Sequence, residues 1–185
     1  AGDRTGNSMD VLNIAHPLFQ KHILDVNDID VFIHSWDTDL HREVIKRYNP
    51  VSYKFEEQKV FNIPFPLEDT KRVQNHFSRW YSCKEVIELK KKYEQDNDFK
   101  YDFVALSRQD IAWQVDVDFS KFETDYFYVP NWRQQFNGQR MGYPHGGYSK
   151  SLQDIWCFSN SEYMDEFVDI YDNIAKYSIE SPELM

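Results

Sequence analysis

Two periods of apolar residues alternate along this chain. Phe103-Val104-Ala105-Leu106 is a short continuous apolar run, the pattern of a strand covered on both faces. It breaks into Ser107-Arg108-Gln109-Asp110, and apolar residues resume at Ile111. Upstream, Asp28 to Trp36 reads as a buried strand ending in a polar cluster. Val51 to Gln58 reads as a strand in which Val51, Tyr53 and Phe55 alternate with polar neighbours. Leu40, Val44, Ile45 and Tyr48 lie between them at helical spacing; Asp37 or Asp39 is placed to cap that helix and Asn49-Pro50 to stop it. A helix is expected from about His16 to Leu24, with Pro17 in its first turn. A long helix is expected from about Thr70 to Asp96, burying Val73, Phe77, Trp80, Tyr81 and Ile87, with Lys90 to Lys92 on a solvated face. Further strands are expected at Tyr126 to Val129 and Gln153 to Ser159. Between them Asn131 to Lys150 reads as a long glycine-bearing binding loop over the site. Ser159-Asn160-Ser161-Glu162 fits a capping box, opening a last helix that carries Met164, Phe167, Val168, Tyr171, Ile174 and Ala175 on one face.

Strands alternating with helices predict an α/β fold over residues 1–185: one domain, with a mainly parallel (mixed) sheet and helices on both faces. The 14 Phe, 12 Tyr and 5 Trp supply a core that disordered chains lack, and the net charge of -10 argues against a general nucleic-acid binder. No run has the length of a transmembrane helix and no signal peptide is read. Cys83 and Cys157 lie far apart in apolar surroundings, which fits a reduced, cytoplasmic setting.

A phosphate-binding GxxxxGK[ST] loop, a GxSxG elbow and an HExxH zinc motif are all missing from the sequence. What remains is polar groups at strand ends: His34 with Asp37, Arg108 with Asp110, and Asp154 at the head of its strand. Ligands of open α/β sheets collect at the carboxyl ends of strands. There a carboxylate holds a hard cation through oxygen and a guanidinium grips phosphate in a fork. The plainer reading is a surface Arg–Asp pair and a capping Asp154. Trp36, Trp132 and Trp156 are placed to stack on a sugar or base, or to fill the core.

Several stretches resemble a group of bacterial and viral sugar transferases with the GT-A fold. They are Asp30-Val31-Phe32-Ile33-His34-Ser35-Trp36, Tyr48-Asn49-Pro50 leading to Glu56-Glu57-Gln58, and Trp80-Tyr81-Ser82-Cys83-Lys84. To these add Tyr101-Asp102-Phe103-Val104 with its following Arg-x-Asp, Asp154 with Trp156 and Phe158-Ser159, and Met164-Asp165. The resemblance implies a GT-A/Rossmann-like sheet and transfer of a sugar from a nucleoside-diphosphate donor to a glycan hydroxyl. Gly2-Asp3-Arg4-Thr5 falls where the family has a donor-facing loop after its first strand, so that strand is expected to be missing or replaced. The implied donor-binding residues are Gly2, Arg4, Asp37, Arg79, Lys84, Arg108 and Asp110. Asp110 is also the implied ligand of a divalent cation, Mn or Mg. Arg108 stands where the family has the first Asp of an Asp-x-Asp motif, which puts metal dependence in question. Asp154 is the implied general base. The expected partners are thus a nucleotide sugar and a glycan acceptor, with no nucleic acid and with oligomer formation left open. Two other classes remain: a non-catalytic nucleotide- or glycan-binding module on the same scaffold, and a structural domain of an assembly.

Overall fold

Two short strand pairs share one long helix. The computed structural model describes residues 8–62, 70–130, 135–136, 139–140 and 155–174. In chain order the elements are α1 (Met9–His22), β1 (Phe32–Trp36), α2 (His41–Tyr48), β2 (Ser52–Glu56), α3 (Thr70–Asn97), β3 (Val104–Ser107), β4 (Gln135–Phe136), β5 (Gln139–Arg140), β6 (Trp156–Ser159) and α4 (Ser161–Phe167).

β1 runs parallel to β2, with Phe32 opposite Ser52 and Trp36 opposite Glu56. Successive side chains of a strand point to opposite faces, and both faces of this pair are covered. Phe32, His34 and Trp36 meet the α3 rings Tyr93 and Tyr81. Ile33, on the other face, is buried with Leu12 of α1 and Val44 and Tyr48 of α2. The α3 stripe then continues over the second pair: Cys83 and Ile87 pack with Val104, Leu106, Cys157 and Met164. Fully burying an aliphatic side chain of this size contributes about 1.5–3 kcal/mol, so this shared cluster is a main tie between the pairs.

The fold is mixed α/β, and the expected predominance of parallel pairing is not what the described strands show. β3 pairs with β6 in antiparallel register, Val104 opposite Ser159 and Ser107 opposite Trp156, and β4 with β5 is also antiparallel. A parallel neighbour needs a crossover that carries the chain back to the starting end. The path from β3 to β6 instead brings the chain in from the far end.

Local expectations also shift. α1 starts at Met9, because Ser8 accepts a hydrogen bond from the Val11 N–H (3.2 Å) and caps it. Pro17 therefore lies inside the helix, where one missing N–H is outweighed by the cap and by burial of Leu12 and Ala15. Neither Asp37 nor Asp39 caps α2, whose N-cap Leu40 makes no side-chain cap bond; Thr38 Oγ1 accepts from the Leu40 N–H (3.1 Å) in the turn before the helix. Asn49, in the left-handed region at φ 44°, ends that helix one residue before Pro50. The capping side chain of α4 is Asn160, which accepts from the Tyr163 N–H (2.8 Å), while Ser159 donates to the Tyr126 carbonyl. The last helix is interrupted after Phe167 and helical turns resume over 170–174. Of the expected strand at 126–129, only the bridge between Tyr128 and Phe158 forms. Most of the 131–150 loop lies outside the described residues.

Lys90 departs furthest from its expected solvated face. It is 2% exposed and donates to Glu94 (3.0 Å), Ser161 (2.6 Å) and Asp165 (2.5 Å). A buried ammonium is tolerated when all three of its donors are satisfied. Here α4 supplies two of the acceptors.

Candidate functional site

The carboxyl ends of β1 and β3 open onto the same recess. The Asp37 N–H donates to the Glu56 carbonyl (2.7 Å), extending the first pair by one residue, and the Arg108 N–H does the same to the Ile155 carbonyl (3.2 Å). Ser35, Thr38 and Phe55 line the recess from the first pair, and Gln109 lines it from the second. Two charged groups sit at this edge. Asp37 lies 3.2 Å from His41 Nδ1 and is more than half exposed. Arg108 forks onto Asp110, with Nε 2.9 Å from Oδ1 and Nη2 2.5 Å from Oδ2. The guanidinium is 45% exposed and the carboxylate 19%, so the pair is reachable from solvent on the arginine side. Trp113, three residues on, packs against Trp156, and its indole nitrogen is buried without a hydrogen-bond partner among the described residues.

The other expected site residues divide. Arg79 of α3 lies near Cys157, where its charge partly offsets the burial that pushes the thiol up to about 12. Cys157 lies opposite Leu106, just before the Arg108 turn. Lys84 instead donates to Asp172 (2.5 Å) and lies 5.7 Å from the Tyr171 ring, which ties it to the 170–174 turns. Gly2, Arg4, Trp132 and Asp154 lie outside the described residues. Trp36 is committed to packing: it stacks on Tyr81 at 5.6 Å and its Nε1–H donates to Ser78 (2.8 Å). Trp156 stacks on Phe158 in the same manner.

A second polar group, beneath the strand ends, escaped the sequence reading. Glu56 Oε1 accepts from His34 Nε2 (3.0 Å) and from the Tyr81 hydroxyl (2.7 Å). Lys59 donates to Tyr81 and pairs with Glu56 Oε2 (3.1 Å), and Lys54 bridges Glu56 (3.3 Å) and Glu85 (2.5 Å). Burial alone would raise the Glu56 carboxyl; hydrogen bonds from His34, Tyr81, Lys59 and Lys54 outweigh it and hold the group at about 2. Burial lowers the His34 pKa, with Glu56 opposing it, so the ring is neutral at pH 7. An ionised carboxylate only accepts, so Nε2 carries the proton and Nδ1 is bare. That Nδ1 is buried and has no partner among the described residues. The signal was present in the sequence. His34 and Glu56 each sit at an alternate position of a strand, and Tyr81 sits on the helical stripe that covers them. Nothing local revealed that the three converge.

Among the described residues, no three His, Cys, Asp or Glu side chains are grouped to hold a metal ion by themselves. Magnesium is commonly bound through one or two carboxylates together with substrate phosphates; both oxygens of the expected ligand Asp110 are bonded to Arg108. No described helix is long and apolar enough to cross a membrane. Compared with protein-family models, curated proteins and solved structures, the chain finds no match.

Proposed function

We propose that the chain is a nucleotide-sugar glycosyltransferase of GT-A type, with its donor diphosphate at the carboxyl ends of β1 and β3. The observation that carries this reading is the Arg108–Asp110 fork at the end of β3, on either side of Gln109, which lines a recess with Ser35 and Thr38. A guanidinium matches phosphate oxygens two at a time, and Arg108 has the exposure to exchange Asp110 for phosphate. Asp110, once released, would hold a manganese or magnesium ion together with the diphosphate, and the ion would supply charge neutralisation for the leaving group. Asp37 and Arg79 border the donor, and Asp154 takes the proton of a glycan hydroxyl as it attacks.

A thermal-shift screen of nucleoside diphosphates and nucleotide sugars, with and without manganese, tests the reading. Ligand at about 100 times its Kd stabilises the folded state by about 2.7 kcal/mol, a rise of roughly 5–10 °C for a domain of this size. Asp110→Asn should remove the manganese-dependent part of the shift. It should leave the ligand-free Tm within about 1–2 °C, since a partly exposed ion pair contributes little stability. Unchanged nucleotide affinity in Asp110→Asn refutes the assignment. The second reading is a non-catalytic nucleotide- or glycan-binding module, and it is favoured by one feature: both Asp110 oxygens are already bonded to Arg108. Donor hydrolysis separates the two, because a module binds the donor without turning it over.

A further inference from the structure

His41, the first residue of α2, is held in one orientation beside the strand-end recess. Its Nδ1 lies 2.9 Å from the Thr38 carbonyl oxygen and 3.2 Å from Asp37 Oδ1. A carbonyl only accepts, so Nδ1 carries the proton and donates to these oxygens. The Phe55 ring of β2 packs against the imidazole, with centroids 5.7 Å apart. Thr38 and Phe55 both line the recess. The ring cannot turn over without giving up two acceptors and an aromatic contact. Nε2 occupies the edge of the ring away from Thr38 and Asp37, and the side chain is 37% exposed.

This arrangement decides which side chain can meet an anion beyond the end of β1. Asp37 is one of the donor-binding residues that the resemblance implies, yet a carboxylate and a diphosphate repel each other. His41 removes the conflict. An imidazolium that donates to Asp37 from Nδ1 has a second N–H on Nε2, and a charge-assisted bond from that N–H to phosphate is of the strong kind. A carboxylate or backbone carbonyl on one ring nitrogen is also how proteins fix a histidine whose other nitrogen meets a ligand. The plainer alternative is a surface ion pair. Against it, the Thr38 carbonyl alone satisfies Nδ1, so the carboxylate supplies charge and not a missing acceptor.

We propose that His41 Nε2 donates to the diphosphate of the donor, and that Asp37 is a positioning residue that acts through His41. The inference rests on the strand-end diphosphate site proposed above and adds a second cation to it. Each strand pair then contributes one: Arg108 follows β3, and His41 follows β1.

Inorganic pyrophosphate is the probe, since it carries the phosphates without base or sugar. Binding is read by calorimetry and ligand-free stability by thermal melts. His41→Asn keeps a side-chain N–H near the place of Nδ1 and lacks the far nitrogen. It should hold the ligand-free Tm within about 1–2 °C and weaken pyrophosphate binding about 10- to 100-fold, as expected for a lost bond to a charged group. Asp37→Asn should weaken binding by less. The double variant should bind no more weakly than His41→Asn alone, because Asp37 acts only through the ring. In histidine-ring 15N spectra the His41 Nε2 signal should move as pyrophosphate is added. Full binding by His41→Asn, undiminished binding by Asp37→Asn, a further loss in the double variant, or an unmoved His41 signal overturns the inference. Arg108→Gln tells two failures apart. If that variant loses pyrophosphate and His41→Asn keeps it, the strand-end site stands and His41 is removed from it. If the unaltered protein binds no pyrophosphate, the strand-end site falls and this inference falls with it.

Discussion

Glu94→Gln should cost about 3 kcal/mol at pH 7, and most of that cost should vanish in acid. Glu94 is 1% exposed on α3. Its Oε1 accepts from the Tyr101 N–H (3.0 Å) and the Ser161 hydroxyl (2.6 Å), and its Oε2 from Lys90 (3.0 Å) and Lys100 (2.8 Å). Burial alone would raise this carboxyl, but the bonds from Lys100, Ser161, Tyr101 and Lys90 prevail and hold it at about 2, against 4.5 for an ordinary glutamate. Each pKa unit is about 1.4 kcal/mol, so the charged form is favoured by about 3 kcal/mol in the folded state. A glutamine keeps the shape, yet places an NH2 against two ammonium donors or against the hydroxyl and amide. The folded pKa is depressed, so the stabilisation is present above the unfolded value and lost as pH falls through the folded one. It should drop to about 1.4 kcal/mol at pH 3. Urea melts of both proteins at pH 7, 5 and 3 measure this; the corresponding Tm difference at pH 7 is roughly 6–12 °C. A loss under about 1 kcal/mol at pH 7, or one that does not shrink at pH 3, refutes a charged, fully bonded Glu94.

Met164→Ala, at a side chain with 0% exposure in the cluster that joins α3 to β3 and β6, should lose about 2–5 kcal/mol in chemical denaturation and leave any nucleotide-induced shift unchanged. An altered shift would show that the core and the strand-end site are coupled. Trp36→Phe removes the bond to Ser78 and part of the Tyr81 stack, and should cost about 1–2 kcal/mol in urea melts. A neutral result would mean that Trp36 does not hold β1 against α3. Cys157, buried and with its thiol pushed up to about 12, should resist iodoacetamide at pH 8 until urea unfolds the chain. Rapid labelling of the folded protein would show that β6 opens locally.

Periodicity alone located the covered strands at Phe32 and Val104 and the stripe Val73–Phe77–Tyr81–Ile87. Each of these depends on which side of a local element is apolar, and that is written in consecutive residues. The pairing of Arg108 with Asp110 was legible for the same reason, since the two are separated by one residue at a strand end. Tertiary structure decided the rest. β6 lies antiparallel because the chain returns to β3 from the opposite end, and no alternation of residues encodes a direction of approach. Lys90 reads as one more surface lysine until α4 brings Ser161 and Asp165 to its ammonium. His34, Glu56 and Tyr81 come from two strands and a helix, and their shared hydrogen bonds exist only because β1 and β2 pair in register beneath α3. A local pattern fixes the face that a residue occupies. The partner it meets there is set by the path of the whole chain, and buried charges are tolerated only where that path delivers their counterparts.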